Sequence, residues 1–146
     1  MFDKILVAVD GSRHSKRAID TAVDLTKRCQ SSVFLLHVIR DMPLPKEIME
    51  MIAAGEVTES RMEILEDSAK IILSNAQKKF DEAGLSDVKS HYVVGDPAFQ
   101  IADYAAKNGV DLIVIGHRGL GTRGEMLGSM ARKLLNVTQV SCLVVR

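Results

Sequence analysis

Aromatic residues make up only 4 % of this 146-residue chain, and tryptophan is absent. Lysine plus arginine and aspartate plus glutamate stand at 19 each, so neither sign of charge dominates. A nucleic-acid surface needs a basic stripe and stacking platforms, and this composition offers neither. Nucleic acid is not an expected partner. Cysteine occurs twice, at Cys29 and Cys142, with no Cys-x-x-Cys and no histidine at ligand spacing. Zinc and redox motifs therefore lack support, and both thiols are expected to be reduced core residues of a cytoplasmic protein. Long apolar runs are missing too. The segment after Met1-Phe2-Asp3-Lys4 is too brief for a secretion signal and far below a membrane span, so a soluble, unexported chain with no membrane partner is expected.

What the chain has in excess is glycine at one place. Five of its ten glycines lie between Gly116 and Ser129, directly after the apolar run Leu112 to Ile115. Without a Cβ the backbone can take positive φ and turn its N–H groups toward one point, and a following helix adds partial positive charge. Such a nest suits an anion, most often a nucleotide phosphate. A plain surface loop is the competing reading.

The length fits one domain over residues 1–146. Apolar runs at Ile5 to Val9, Val33 to Val38, Leu112 to Ile115 and Cys142 to Val145 are short, β-branched and nearly unalternating, as in parallel strands covered on both faces. His91 to Val94 reads as a weaker, more polar strand. Helical spacing puts Ala18, Ala22, Leu25 and Cys29 on one face, and Met62, Leu65, Ala69, Ile72, Ala76, Phe80 and Ala83 on another. Ser12 is a candidate N-cap, Gly84 a C′ residue, and Asp96-Pro97 an N-cap and first turn. A last helix is expected over Ser129 to Asn136. Strand and helix alternate as in an open doubly wound α/β sheet, whose ligands sit beyond the carboxyl ends of the strands. Asp10-Gly11-Ser12 and the glycine stretch both fall at such ends.

Two phosphate motifs fit poorly. Gly119-Leu120-Gly121-Thr122-Arg123-Gly124 matches the dinucleotide pattern, but it follows the fourth strand and leaves too little chain for a ribose-binding acid. A Walker loop fails because no glycine precedes Lys-Ser or Lys-Thr at the required place.

Val7-Ala8-Val9-Asp10-Gly11-Ser12, Leu35-Leu36-His37-Val38, Gly95-Asp96-Pro97, and Gly116-x-x-Gly119 with Gly128-Ser129 together resemble the universal stress protein family. The resemblance spans the chain and implies a five-stranded parallel, Rossmann-like sheet of order 3-2-1-4-5 with helices on both faces. It also implies ATP or a related adenine nucleotide, ADP or AMP, in the crevice. Ala8, Val9 and Asp10 would meet adenine and ribose, and Val38 the adenine wall. Ile115, Gly116, Arg118, Gly119, Gly128, Ser129 and Met130 would surround ribose and phosphates. Mg or Mn would be held through those phosphates rather than by side chains. Leu120 to Leu127 supplies eight residues, one fewer than the family pattern, which bears on phosphate number and strength of binding.

Asp10 also admits a simpler role, closing its own turn before Gly-Ser. Arg123 is a second candidate for phosphate charge, and a base role for His117 lacks a visible nucleophile or orienting acid. Met42 to Val57 reads as a short helix, a lid or partner surface against plain core packing. Strand order 3-2-1-4-5 would leave Cys142 to Val145 as an unguarded edge, so a two-fold homodimer through it is expected. The reading is a homodimeric, nucleotide-binding stress-response regulator without efficient catalysis, acting on an unidentified protein partner. Slow ATP hydrolysis or phosphotransfer, and a nucleotide-free dimeric scaffold, are the alternatives.

Overall fold

The computed structural model describes residues 1–40, 46–55, 61–118 and 126–146. In chain order its elements are β1 (Lys4–Ala8), α1 (Arg13–Cys29), β2 (Ser32–Arg40), α2 (Lys46–Ala53), α3 (Arg61–Glu82), β3 (Val88–Gly95), α4 (Pro97–Lys107), β4 (Leu112–Gly116), α5 (Ser129–Val137) and β5 (Ser141–Val145). The strands form one parallel sheet in the order β3-β2-β1-β4-β5. Fold class and strand order are those expected. β1 and β4 are neighbours, with Ile5 opposite Leu112 and Val7 opposite Val114.

Alternation along the strands builds two cores. Ile5, Val7, Val33, Leu35 and Val114 face α1 and α3, whereas Leu6, Leu36, Ile113 and Ile115 face α4 and α5. Each fully buried large side chain, such as Phe80 or Ile113, contributes ~1.5–3 kcal/mol against leaving it in water. Punctuation residues hold the helices in place. Ser12 caps α1 by accepting from the Ser15 amide, and Asp96 caps α4 through the Phe99 amide with Pro97 behind it. The α3 C-terminus closes with Leu85 N–H on the Phe80 carbonyl and Gly84 N–H on that of Asp81. Gly84 sits at φ +76°, so glycine is the fitting C′ residue there.

Several expectations need adjustment. The buried stripe of α1 is Ser15, Ala18, Ile19, Ala22, Val23 and Thr26, leaving Leu25 and Cys29 half-buried on its flank. On α3, core contact begins at Ala69 and includes Leu73, while Met62 lies about two turns earlier and is exposed. β3 runs from Val88 to Gly95, longer than His91 to Val94, because pairing with β2 rather than apolar content defines its extent. Both cysteines are free, but neither is fully buried. Burial pushes the Cys142 thiol pKa up, and it donates to the Val140 carbonyl at 3.5 Å. The expected short helix is α2; Pro43, Pro45 and Val57 lie outside the described residues. No helix among the described residues is long and apolar enough to cross a membrane.

Candidate functional site

The site begins where β1 stops. The Val9 amide makes the last ladder bond, to the Leu36 carbonyl at 2.9 Å. The Val9 carbonyl then leaves the ladder and accepts from His37 Nδ1 at 2.7 Å. One residue on, Asp10 Oδ1 accepts from the Ser12 amide at 2.8 Å, and the Asp10 amide donates to Ser15 Oγ at 3.1 Å. Asp10 thus does close its own turn, and the same turn fixes its carboxylate at the crevice.

Across the crevice, β4 ends against the first turn of α1. A Cβ on Gly116 would lie 2.8 Å from the His14 carbonyl carbon and 2.9 Å from the Ser15 nitrogen, both backbone atoms. Close packing is the reason for this glycine, not positive φ. Gly128 likewise has φ −61°, so neither described glycine of the segment shows the left-handed backbone expected of a nest. Gly119, Gly121, Arg123 and Gly124 lie outside the described residues. The two ends of the segment are tied together: His117 donates its amide to the Val145 carbonyl at 2.7 Å and accepts from the Gly128 amide at 2.8 Å.

That tie aims α5 at the crevice. Unlike α1 and α4, α5 starts on a glycine and has no side-chain cap. Its first-turn N–H groups carry the helix's partial positive charge with no capping side chain among the described residues. Arg118 stands beside them. Its Nη1 donates to the Met126 carbonyl, while its buried Nε has no hydrogen-bond partner among the described residues.

A cavity of about 420 Å³ lies between these ends. It is lined by Ala8, Val9, Asp10, Val38, Gly116, Arg118, Gly128, Ser129 and Met130. The topology therefore gathers most of the residues singled out from sequence. Ile115 is not among the lining residues, since its side chain is fully buried in the α4/α5 core, and Gly119 is outside the described set. Sequence reading missed His37 and Arg40 on β2, Leu65 and Ile72 on α3, and Pro97 at the start of α4. Arg40 and Pro97 had a signal, since both stand at the carboxyl end of a strand. The α3 residues had none, because helical spacing does not say how far a helix reaches over the crevice.

The electrostatics are cationic on the β4 side. His117 is buried, and burial, then Arg146, His14 and Arg118, lower its pKa from the usual 6.5. Its ring meets that of His14 edge-on, with centroids 5.9 Å apart. At the far side, burial raises the Asp96 pKa, but the Phe99 amide and Lys133 outweigh it, so the carboxyl stays below its ordinary value. Among the described residues no group of three or more His, Cys, Asp or Glu side chains gathers to hold a metal.

Comparison with known proteins agrees with this fold. The model of the universal stress protein family matches residues 1–146. Universal stress protein YxiE of Bacillus subtilis is 37 % identical, covering 100 % of both chains. The solved structure of MJ0577, a universal stress protein of Methanocaldococcus jannaschii, superposes with a TM-score of 0.80 at 28 % identity, over 99 % of this chain and 96 % of that one. A universal stress protein solved in complex with cAMP shares the fold, with a TM-score of 0.74 at 23 % identity over 99 % of this chain and 97 % of that one.

Proposed function

Because this chain belongs to the universal stress protein family, we propose that it binds an adenine nucleotide in the crevice and acts as a homodimeric stress-response regulator. The observation that carries the reading is the start of α5, uncapped among the described residues, which faces the 420 Å³ cavity beside Arg118 and opposite Asp10. An anion fits the helix end, and a carboxylate across from it suits ribose hydroxyls. The base end is supported by backbone alternation. Leu36 turns its main chain toward β1, so Val38, two residues on, does the same where β1 has already ended. Its N–H and C=O are a donor and an acceptor on one edge, the complement of the N1 and amino group of adenine. The cAMP-bound protein of the same fold is consistent with this class of ligand. Mg or Mn would rest on phosphate oxygens in this reading.

Calorimetric titration with ATP, ADP, AMP and NAD tests it. The adenosine phosphates are expected to bind and NAD to bind worst. Ser129→Asp places a carboxylate in the first turn of α5, where it suits the helix dipole but repels phosphate. That variant is expected to keep its melting temperature and lose at least about tenfold in affinity, equivalent to ~1.4 kcal/mol. Silence with all four nucleotides, by heat and by thermal shift, would sink the reading.

A further inference from the structure

We propose that His37 is a positioning residue for the base end of the crevice: by donating to the Val9 carbonyl it occupies the acceptor that the Val38 amide would otherwise take, and so keeps that amide open to ligand. What occupies the opening rests on the adenine-nucleotide reading. The opening itself is a property of the free protein.

The register fixes where the next rung would fall. Ala8 stands opposite Leu36, and the Val9 amide reaches the Leu36 carbonyl, so in a parallel ladder the Val9 carbonyl is next met by the Val38 amide. Among the described residues no such bond forms, and the carbonyl instead takes His37 Nδ1 at 2.7 Å. A carbonyl only accepts, so Nδ1 carries the proton.

Residue 37 is the position from which a side chain can do this. Val33 and Leu35, its predecessors by alternation, lie in the α1/α3 core together with Val9. An apolar residue at 37 would continue that series and leave the Val9 carbonyl without its partner. Half-buried carbonyls seek a donor, and the register supplies the Val38 amide as the nearest backbone one. Without the imidazole the ladder gains a rung and the crevice floor closes by one residue. Val38 has its side chain on the other face with Leu36, so its packing does not depend on which partner Val9 takes.

The test compares the full chain with His37→Asn, whose amide nitrogen sits near the place of Nδ1, and His37→Phe, which keeps a ring and removes the donor. Amide exchange by NMR without nucleotide is expected to show Val38 fast in wild type and in His37→Asn, and about tenfold or more slower in His37→Phe. AMP affinity is expected to fall roughly five- to tenfold in His37→Phe, as for one lost hydrogen bond, and to recover in His37→Asn. His37→Gln moves its donor to the distal position, is expected to follow His37→Phe, and replaces it if the aromatic variant does not fold. A merely structural histidine would shift the melting temperature and leave Val38 exchange alone. Equal Val38 exchange in all variants, a Val38 amide already protected in wild type, or AMP affinity untouched by its closure overturns the proposal. Wild type that binds no AMP refutes the nucleotide reading instead, and Val38 exchange still decides the role of His37.

Discussion

Gly84 and Gly116 are both glycine for reasons that a substitution separates. At Gly84 nothing among the described residues lies within 4 Å of where a Cβ would stand, but φ is +76°, so alanine is strained by its backbone alone. Gly84→Ala is expected to cost ~1–2 kcal/mol, the penalty of a left-handed non-glycine residue. At Gly116 the backbone is ordinary and the space is not, since the clashing atoms are main-chain atoms of His14 and Ser15 and the His14 Cβ, none of which can rotate away. Gly116→Ala is expected to cost ~1–3 kcal/mol by overpacking, read as a lower urea midpoint with unchanged slope. Sequence alone marked both positions and gave Gly116 the wrong cause, because contact between β4 and α1 exists only once the sheet has assembled. His117 carries a pH prediction. Its folded pKa is lowered, so the unfolded chain takes up a proton near pH 6.5 that the folded chain resists. Stability is expected to be level above about pH 6.5 and to fall as pH drops below it. Melting curves across that range test this, and His117→Gln should flatten the acid side.

The helix starts sort the elements into scaffold and site. α1 and α4 open on Ser12 and Asp96, whose side chains satisfy their own first turns. Asp96→Ala is expected to cost ~1 kcal/mol for the lost cap and to release Lys133, which now reaches Asp96 at 3.2 Å and stands over the Phe99 ring. The accompanying ion pair is half-exposed and adds little. These caps were legible because an N-cap is a local bond between near neighbours. The start of α5 at Ser129 was legible as well, although among the described residues no side chain caps it at Gly128. Element boundaries followed local chemistry wherever such bonds exist. β3 did not, since its extent depends on β2, and the inward face of α1 did not, since the neighbouring α3 and β4 decide which flank is covered.

At the scale of the whole molecule, the sheet order turns two separate loops into one crevice and leaves two edges, β3 and β5. Periodicity cannot order strands; the resemblance implied the order, and the β1–β4 register realises it. The β5 edge is the proposed dimer surface, and alternation says which of its groups are available. The Val145 carbonyl accepts from the His117 amide, so Ser141, Leu143 and Val145 turn their main chain inward to β4. Cys142 and Val144 therefore turn theirs outward, and a proline at 144 removes an outward N–H without breaking a bond to β4. Val144→Pro is expected to shift the protein from dimer to monomer in analytical ultracentrifugation while the far-ultraviolet dichroism keeps its α/β shape. Leu143→Pro, one residue away, breaks an inward bond and is expected to lower the melting temperature as well. If Val144→Pro sediments as wild type does, the two copies do not join through this strand.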